Sequence, residues 1–266
     1  MNTEAQPGTV YLVGAGPGDP GLLTLRALKL LQTADVILPD DLVPDAILDL
    51  ASPSALIIPV GKRCGQPRIT QAGIHALMLE HALPRNGEPG ASVLRLKSGD
   101  PLVFGRAAEE IAALREAGIP FQIVPGITAA FAVAAELQTP LTDRSAASKL
   151  ILATAHHAAG KVALDWSEAQ PADHTADATL VLYMPGRDFS TLAANLLRSG
   201  IPPTTPCAAV SKATTPDQHV SRTTLEQLGH LDAATIGPAP VLLLIGHAIQ
   251  IPEISASAAL QDSTPV

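Results

Sequence analysis

The stretch that decides the fold is residues 10–31, VYLVGAGPGDPGLLTLRALKLL. It begins with a β-branched and apolar run at Val10–Val13, passes through a glycine cluster and resumes with leucines at helical spacing, at positions 22, 25, 28 and 31. A strand, a glycine-rich turn and a helix in this order open a dinucleotide-binding unit. The stretch therefore predicts a βα unit whose turn can contact a ligand.

The spacing of the glycines argues against a nicotinamide dinucleotide as that ligand. The fingerprint places its third glycine three residues after the second, but here the glycines lie at 14, 16 and 18, with Asp19 at the expected position. A carboxylate at Asp19 would repel a pyrophosphate at the helix N-terminus. Pro20 suits a helix entrance because its missing N–H would be unpaired anyway. The alternative interpretation is an ordinary tight turn with Asp19 as the N-cap.

The composition predicts a soluble, cytoplasmic protein with an aliphatic core. Apolar residues make up 47% of the 266 residues and aromatic residues 3%, and this length fits two modest domains or one large one. No apolar run approaches the roughly 20 residues of a membrane helix, and MNTEAQPG lacks a signal-peptide pattern. The two cysteines, Cys64 and Cys207, cannot form a disulfide framework or a zinc site on their own. We therefore expect no metal.

The charge distribution points to a small polyanionic ligand rather than to a nucleic acid. The net charge is −8, from 17 basic and 25 acidic residues, whereas a general nucleic-acid binder carries a basic surface. Six basic residues nevertheless fall within one short span: Lys62, Arg63, Arg68, Arg95, Lys97 and Arg106. A solvated surface would account for their number equally well.

The chain alternates predicted strands and helices, which favours an α/β fold with a largely parallel sheet. The predicted strands are residues 10–13, 34–38, 55–60, 93–97, 121–124, 150–155, 179–184, 207–210 and 241–245. The predicted helices beyond the opening unit are residues 70–83, 105–117 and 189–197. We divide the chain into an N-terminal domain at 1–126, a C-terminal domain at 127–250 and a flexible tail at 251–266. A long polar loop is expected between 155 and 178.

Glycines, prolines and charged residues gather just after the predicted strands. Six such turns read GAGPGDP, PDDLV, GKR, SGDP, PGIT and YMPGR. Ligands of open α/β sheets bind outside the carboxyl ends of the strands. The six turns therefore predict one composite cleft.

These turns, in this order and over residues 9–250, resemble those of the S-adenosylmethionine-dependent tetrapyrrole methyltransferases. The resemblance implies two α/β domains with an interdomain cleft, S-adenosylmethionine as the methyl donor, S-adenosylhomocysteine as its product, and a homodimer. VGKR at 60–63 looks most like the branch that methylates uroporphyrinogen III at C2 and C7. That reaction gives precorrin-2 for sirohaem or cobalamin biosynthesis.

The resemblance also implies site residues. The positions that match cofactor contacts are Pro17, Ser98, Gly99, Asp100, Val103, Thr128, Ala129, Met184 and Ala213. Asp40 matches the position of the family's proposed proton acceptor, and Lys62 that of its proposed proton donor. The alternative is a simple ion pair between Asp40 and Lys62. Arg63, Arg68 and Lys97 could pair with carboxylates of the substrate, which has eight.

The chain departs from the family pattern at several positions. Where the family often has a histidine a few residues past GKR, this chain reads CGQPR at 64–68, and Arg68 could substitute as a carboxylate partner. Pro39 stands where an aromatic residue is common, Asp41 where an arginine is common, and Ser98 where a glycine is common. These changes leave open a related tetrapyrrole methyltransferase with another substrate, or a tetrapyrrole-binding protein without catalysis.

Three further residue types have ordinary interpretations. His156 and His157 could suggest a metal, but adjacent side chains of an extended segment point to opposite faces. Nothing requires Cys64 to be a reactive thiol, and Trp166 is better explained as an anchor of local structure.

Overall fold

The structure is a computed structural model, which describes residues 4–61, 69–155 and 178–249. In these ranges the strands are β1 Val10–Gly14, β2 Val36–Pro39, β3 Leu56–Ile57, β4 Val93–Lys97, β5 Phe121–Val124, β6 Lys149–Thr154, β7 Ala178–Tyr183, β8 Pro206–Ser211, β9 His219–Thr224 and β10 Val241–Ile245. The helices are α1 Leu25–Leu31, α2 Asp45–Leu48, α3 Gln71–Ala82, α4 Ala107–Glu116, α5 Ala129–Glu136, α6 Phe189–Arg198, α7 Leu225–Leu228 and α8 Ala233–Ile236. A 3₁₀ turn, Pro20–Leu22, precedes α1.

The first sheet is parallel, as the alternation of strands and helices predicts. Its strand order is β3-β2-β4-β1-β5, and every pairing within it is parallel. All residues of β1, β2 and β4 are buried, because a parallel sheet is covered on both faces. The carboxyl ends of its strands, and so the turns that follow them, lie along one edge.

Each face of this sheet has its own apolar core. On one face Tyr11 and Leu94 pack with Leu30 and Leu31 of α1. On the other face Leu12 and Val93 belong to a cluster that includes Met78 of α3 and Leu114 of α4. The alternation of side chains along each strand assigns neighbouring residues to opposite cores.

The second sheet has the order β6-β7-β10-β8-β9, and β6 and β7 are parallel. Strands β7, β8 and β10 are almost entirely buried. Helix α6 buries Phe189, Leu192, Ala193 and Leu196, which are spaced so that they share one face of the helix. The two sheets and their helices confirm the predicted α/β class.

The chain divides into two compact units. The described residues of Met1–Gln138, Val210–His219 and Pro238–Leu242 form one unit, and those of Thr139–Ala209, Val220–Gly237 and Leu243–Val266 form the other. The domain boundary at residue 126 stays a prediction. The loop predicted at 156–177 and the tail at 251–266 lie outside the described residues.

Several elements differ from the sequence-based expectation. Strand β9 was not predicted because its sequence, HVSRTT, lacks an apolar run. Helix α5 was not predicted because AAFAVAAE shows no clear period of polar and apolar residues. The strand expected at 55–60 contains only Leu56 and Ile57. In the described part of the chain, no helix combines the length and apolarity needed to cross a bilayer.

Candidate active site

Three glycine turns meet backbone to backbone at the carboxyl edge of the first sheet. A β-carbon on Gly14 would lie 2.5 Å from the Gly126 nitrogen and 2.6 Å from the Gly99 oxygen. The Gly99 N–H donates to the Gly16 carbonyl at 2.7 Å, and the Gly16 N–H donates to the Gly99 carbonyl at 3.2 Å. Only glycine permits this approach, because any side chain would enter a neighbouring backbone.

Asp100 holds two of these turns together. Its carboxylate accepts the Gly126 N–H at 3.0 Å and the Leu102 N–H at 2.8 Å. The Val103 N–H donates to the carbonyl of Asp100 at 3.2 Å. The turn SGDP is therefore braced by its own aspartate, which leaves Ser98 and Gly99 half-buried at its tip.

The glycine-rich turn after β1 also contacts residues 213–215. The Asp19 N–H donates to Thr214 Oγ1 at 3.3 Å, and a β-carbon on Gly18 would lie 3.1 Å from Thr215 Cγ2. Asp19 is the N-cap of the 3₁₀ turn, since its carboxylate accepts the Gly21 N–H at 2.7 Å. A phosphate bound at a helix N-terminus uses backbone N–H groups of this kind. Because the Asp19 carboxylate already accepts the Gly21 N–H, the turn suits a ligand without phosphate.

Most of the predicted cofactor contacts lie at these turns. Pro17 is half-buried in the first turn, and Ala213 belongs to the turn that meets Gly18. Thr128 is the buried N-cap residue of α5, whose first residue is Ala129. Met184 follows β7 in the second unit and is 48% exposed. Their contact with a cofactor stays a prediction.

Non-glycine residues with left-handed backbone occur at several turns near the strand ends. The φ angles are 54° at Phe104, 57° at Arg106, 50° at Met184, 47° at Lys212 and 60° at Thr214. Such conformations carry strain and often occur at functional sites. The strain is consistent with turns shaped for a ligand.

Asp40 lies in the wall of a cavity of about 550 Å³, a size usual for small-molecule sites. The cavity is also lined by Ser98 after β4, by Thr70 and Gln71 at the start of α3, and by Phe104. The Asp40 N–H donates to the Leu96 carbonyl at 2.9 Å, which fixes the end of β2 against β4. The Asp40 carboxylate accepts a hydrogen bond from Arg95 and stays 32% exposed.

Behind Asp40 lies a buried network of ion pairs. Arg95 Nε donates to Glu110 Oε1 at 2.9 Å, and Lys97 Nζ donates to both Glu110 oxygens at 2.9 Å. Arg95, Lys97 and Glu110 are all at most 3% exposed. Burial, and then the Arg95 charge, lower the pKa of Lys97, while Glu110 and Asp40 oppose that shift.

Of the predicted substrate contacts, the structure describes only Lys97. Lys97 lines the cavity but directs its ammonium group to Glu110. Lys62, Arg63 and Arg68 lie outside the described residues, as do Cys64, His156, His157 and Trp166. Of the residues that depart from the family pattern, Pro39 is buried in β2, while Asp41 is exposed and lies against Gly61.

Sequence reasoning missed part of the cavity wall. Phe104, which the sequence did not single out, is 39% exposed there. Arg106, one of the six clustered basic residues, also lines the cavity and pairs with Glu109 through two bonds of 2.9 and 2.6 Å. Glu110 was also missed. The signal was present in FGRAAEE at 104–110, where two adjacent acids follow an arginine at the start of a helix, but paired acids in a first turn are also favoured by the helix dipole.

Comparison with known proteins agrees with this architecture. The sequence profile of the tetrapyrrole (corrin/porphyrin) methylases matches residues 9–229. Siroheme synthase 1 of Klebsiella pneumoniae is 42% identical over 93% of the chain. The S-adenosyl-L-methionine-dependent uroporphyrinogen III methyltransferase of Arabidopsis thaliana is also 42% identical over 93% of the chain. The chain spans 50% of the length of the first relative and 65% of the second.

Solved structures extend the match. Uroporphyrin-III C-methyltransferase from Thermus thermophilus, complexed with S-adenyl homocysteine, has a TM-score of 0.73 and 35% identity. The match covers 91% of this chain and 93% of that one. The family profile, the identities and the shared fold lead to one conclusion: the chain belongs to the tetrapyrrole (corrin/porphyrin) methylase family.

Proposed function

We propose that this protein is an S-adenosylmethionine-dependent C-methyltransferase that methylates uroporphyrinogen III at C2 and C7 to give precorrin-2. The observation that carries the proposal is that Asp40 and Ser98 line the same cavity. The first is the expected proton acceptor and the second belongs to the expected cofactor turn. Because β2 and β4 are neighbours in the sheet, the proposal has the proton acceptor and the methyl-donor turn act on one bound substrate.

The glycine turns provide the donor site in this proposal. When bound, S-adenosylmethionine supplies a methyl group on a sulfonium sulfur. Pro17, Gly99 and Thr128 would hold the donor, together with Ser98, Asp100, Val103, Ala129, Met184 and Ala213. The glycine turns lie backbone against backbone, and the Asp19 carboxylate, which accepts the Gly21 N–H, repels no phosphate because this donor carries none. Correct placement of the reacting groups can supply roughly 7–11 kcal/mol of the barrier.

Acid–base chemistry falls to Asp40 and Lys62 in this proposal. An ionised Asp40 carboxylate would stabilise the positive charge that develops on the attacked pyrrole and accept the proton that leaves the macrocycle. Lys62 would act as the proton donor. Arg63 and Arg68 would bind substrate carboxylates, and Lys97 retains one N–H for that purpose, because an ammonium group has three donors and two bond Glu110.

The proposal also covers the assembly, the domain bounds and the pathway. We propose a cytoplasmic homodimer with domains at 1–126 and 127–250, acting in sirohaem or cobalamin biosynthesis. The name of the Klebsiella pneumoniae relative supports the sirohaem branch. Because the chain spans half the length of that relative, the proposal covers methylation alone.

A second candidate is methylation of a related tetrapyrrole with another carboxylate arrangement. Asp41 lines the same cavity as Asp40, so two carboxylates approach one ligand. A substrate carboxylate would be repelled at that point. A substrate that lacks a carboxylate there would meet no such repulsion.

An anaerobic assay with purified protein, S-adenosylmethionine and uroporphyrinogen III tests the proposal, with products followed by mass. We expect a gain of two methyl groups. Asp40→Asn should lower kcat by about 10² or more with unchanged S-adenosylhomocysteine affinity, whereas Asp49→Asn, on an exposed residue after α2, should match wild type. Binding of both ligands without methyl transfer would instead indicate a non-catalytic tetrapyrrole-binding protein.

A further inference from the structure

The feature that calls for an explanation is the way Arg95 joins Asp40 to Glu110. Its guanidinium donates to Asp40 Oδ1 through one terminal nitrogen and to Glu110 Oε1 through Nε. The other terminal nitrogen donates to the carbonyls of Leu38 at 3.0 Å and Leu96 at 3.3 Å. Because the guanidinium is planar and rigid, bonds on these three nitrogens fix its plane, and with it the direction from which Asp40 is held.

Burying the carboxylate of Glu110 at this position costs free energy. Its side chain is fully buried, and an ionised carboxylate in such a place is tolerated only when it is paired and hydrogen-bonded. The other buried residues of α4 are Ala107 and Leu114, which pack as a helix face normally does. An apolar residue would serve packing as well or better, so packing does not explain the acid.

The charges of the network explain it. Arg95 and Lys97 stand two residues apart on β4 and therefore share one face of the strand. Without Glu110, these two buried cations would repel each other, and both would be drawn to Asp40, which already pairs with Arg95 and whose charge already acts on Lys97. The Arg95 Nε–H or the Lys97 ammonium would then turn toward Asp40 and occupy Oδ2, the carboxylate oxygen that Arg95 does not bond among the described contacts.

We propose that Glu110 is a positioning residue that acts through Arg95, holding both buried cations so that one oxygen of Asp40 stays available to the substrate. The inference rests on the proposed function, because it gives Asp40 the part of proton acceptor. Glu110 itself does not touch the substrate. Its effect reaches the reaction through the orientation of one carboxylate.

The test is Glu110→Gln in the full chain, with Glu116→Gln as the matched control. Glu116 ends the same helix and is exposed. For Glu110→Gln we expect kcat to fall by roughly 10- to 100-fold, since a displacement of about 1 Å can cost 10²-fold. S-adenosylhomocysteine affinity, measured by calorimetry, and the KM for S-adenosylmethionine should remain within about twofold, since no donor turn is altered. The control should match wild type.

A double-mutant cycle with Asp40→Asn separates positioning from a structural role. If Glu110 acts through Asp40, adding Glu110→Gln to Asp40→Asn should lower the residual transfer of a tritiated methyl group by less than about twofold. Losses that multiply in full would overturn the inference. So would a kcat for Glu110→Gln within twofold of wild type.

Arg95→Lys decides the matter if Glu110→Gln fails to fold. A lysine keeps the charge but cannot bridge two carboxylates as a guanidinium does. It should lower kcat at least about tenfold with unchanged S-adenosylhomocysteine affinity, and an equal loss of affinity and kcat would overturn the inference. Absence of methyl transfer by the unsubstituted protein would refute the proposed function itself, whereas transfer that survives Glu110→Gln and Arg95→Lys would refute only the part given to Glu110.

Discussion

Substitution of Gly14 by alanine should destabilise the first unit strongly and abolish donor binding. The new β-carbon would lie 2.5 Å from the Gly126 nitrogen and 2.6 Å from the Gly99 oxygen, where an ordinary contact needs at least 3.4 Å. The turns after β4 and β5 would have to retreat by about 0.9 Å, and both obstacles are backbone atoms that no rotamer change can move. Overpacking costs about 1–3 kcal/mol, and the rigid surroundings place this case near 3 kcal/mol.

Urea unfolding and calorimetric titration with S-adenosylhomocysteine measure the two effects. Gly73→Ala is the matched control in the same unit, because its β-carbon would meet only the Ile69 methyl group at 3.1 Å and the Thr70 hydroxyl at 3.5 Å. Its free energy of unfolding should change by no more than about 1 kcal/mol. A Gly14→Ala protein within about 0.5 kcal/mol of wild type, with unaltered binding, would refute the inference that backbone contact among the three turns shapes the donor site.

Three further predictions concern a cap, a thiol and a pH dependence. Thr24→Ala should lower the free energy of unfolding by about 1 kcal/mol, because the Thr24 hydroxyl caps α1 by accepting an N–H at 3.1 Å; Thr24→Ser should retain most of that stability, and equal urea midpoints for the two variants would contradict the cap. In a Cys64→Ser background, Cys207 should resist iodoacetamide in the folded protein and react in urea, because burial raises its pKa to about 12; equal rates in both states would disprove the burial. Burial lowers the pKa of Lys97 below 10.5, so the unfolded chain binds more protons between the lowered pKa and 10.5, and the free energy of unfolding should rise with pH there. Urea titrations from about pH 7 to 10 should show this rise in wild type and a smaller one in Lys97→Met; identical slopes would count against it.

The fold was largely predictable because its strands carry local signals. Strands β4, β5 and β10 have the predicted bounds, since each is a short run rich in apolar residues enclosed by glycine, proline or a polar turn. Strand β9 has no such run: among the described strands it lies at the end of its sheet, next to β8. Only residues 212–218 separate the two strands, but pairing through the backbone needs no apolar side chains, so the hydrophobic pattern does not report it.

The candidate site was predictable in part. The sequence placed glycines, Asp40 and the turn at Ser98 after parallel strands, and parallel strands necessarily deliver their carboxyl ends to one edge. Substrate binding by Lys97 stays a prediction, and the structure adds a pairing of its ammonium group with Glu110 that the sequence did not predict. The partner lies thirteen residues away on a helix, and a lysine in a sequence looks the same whether its charge meets solvent or a buried acid.

The sequence by itself therefore determined the α/β class, most element bounds and the set of residues at the strand ends, because strand periodicity and turn chemistry are local. Only the tertiary structure decided the strand order, the contact of Gly14 with Gly99 and Gly126, and the sharing of Arg95 between Asp40 and Glu110. These depend on distances between residues far apart in the chain. Such distances are set by the packing of the whole core, and a charge buried in that core is tolerated only where the packing also brings a partner of opposite charge.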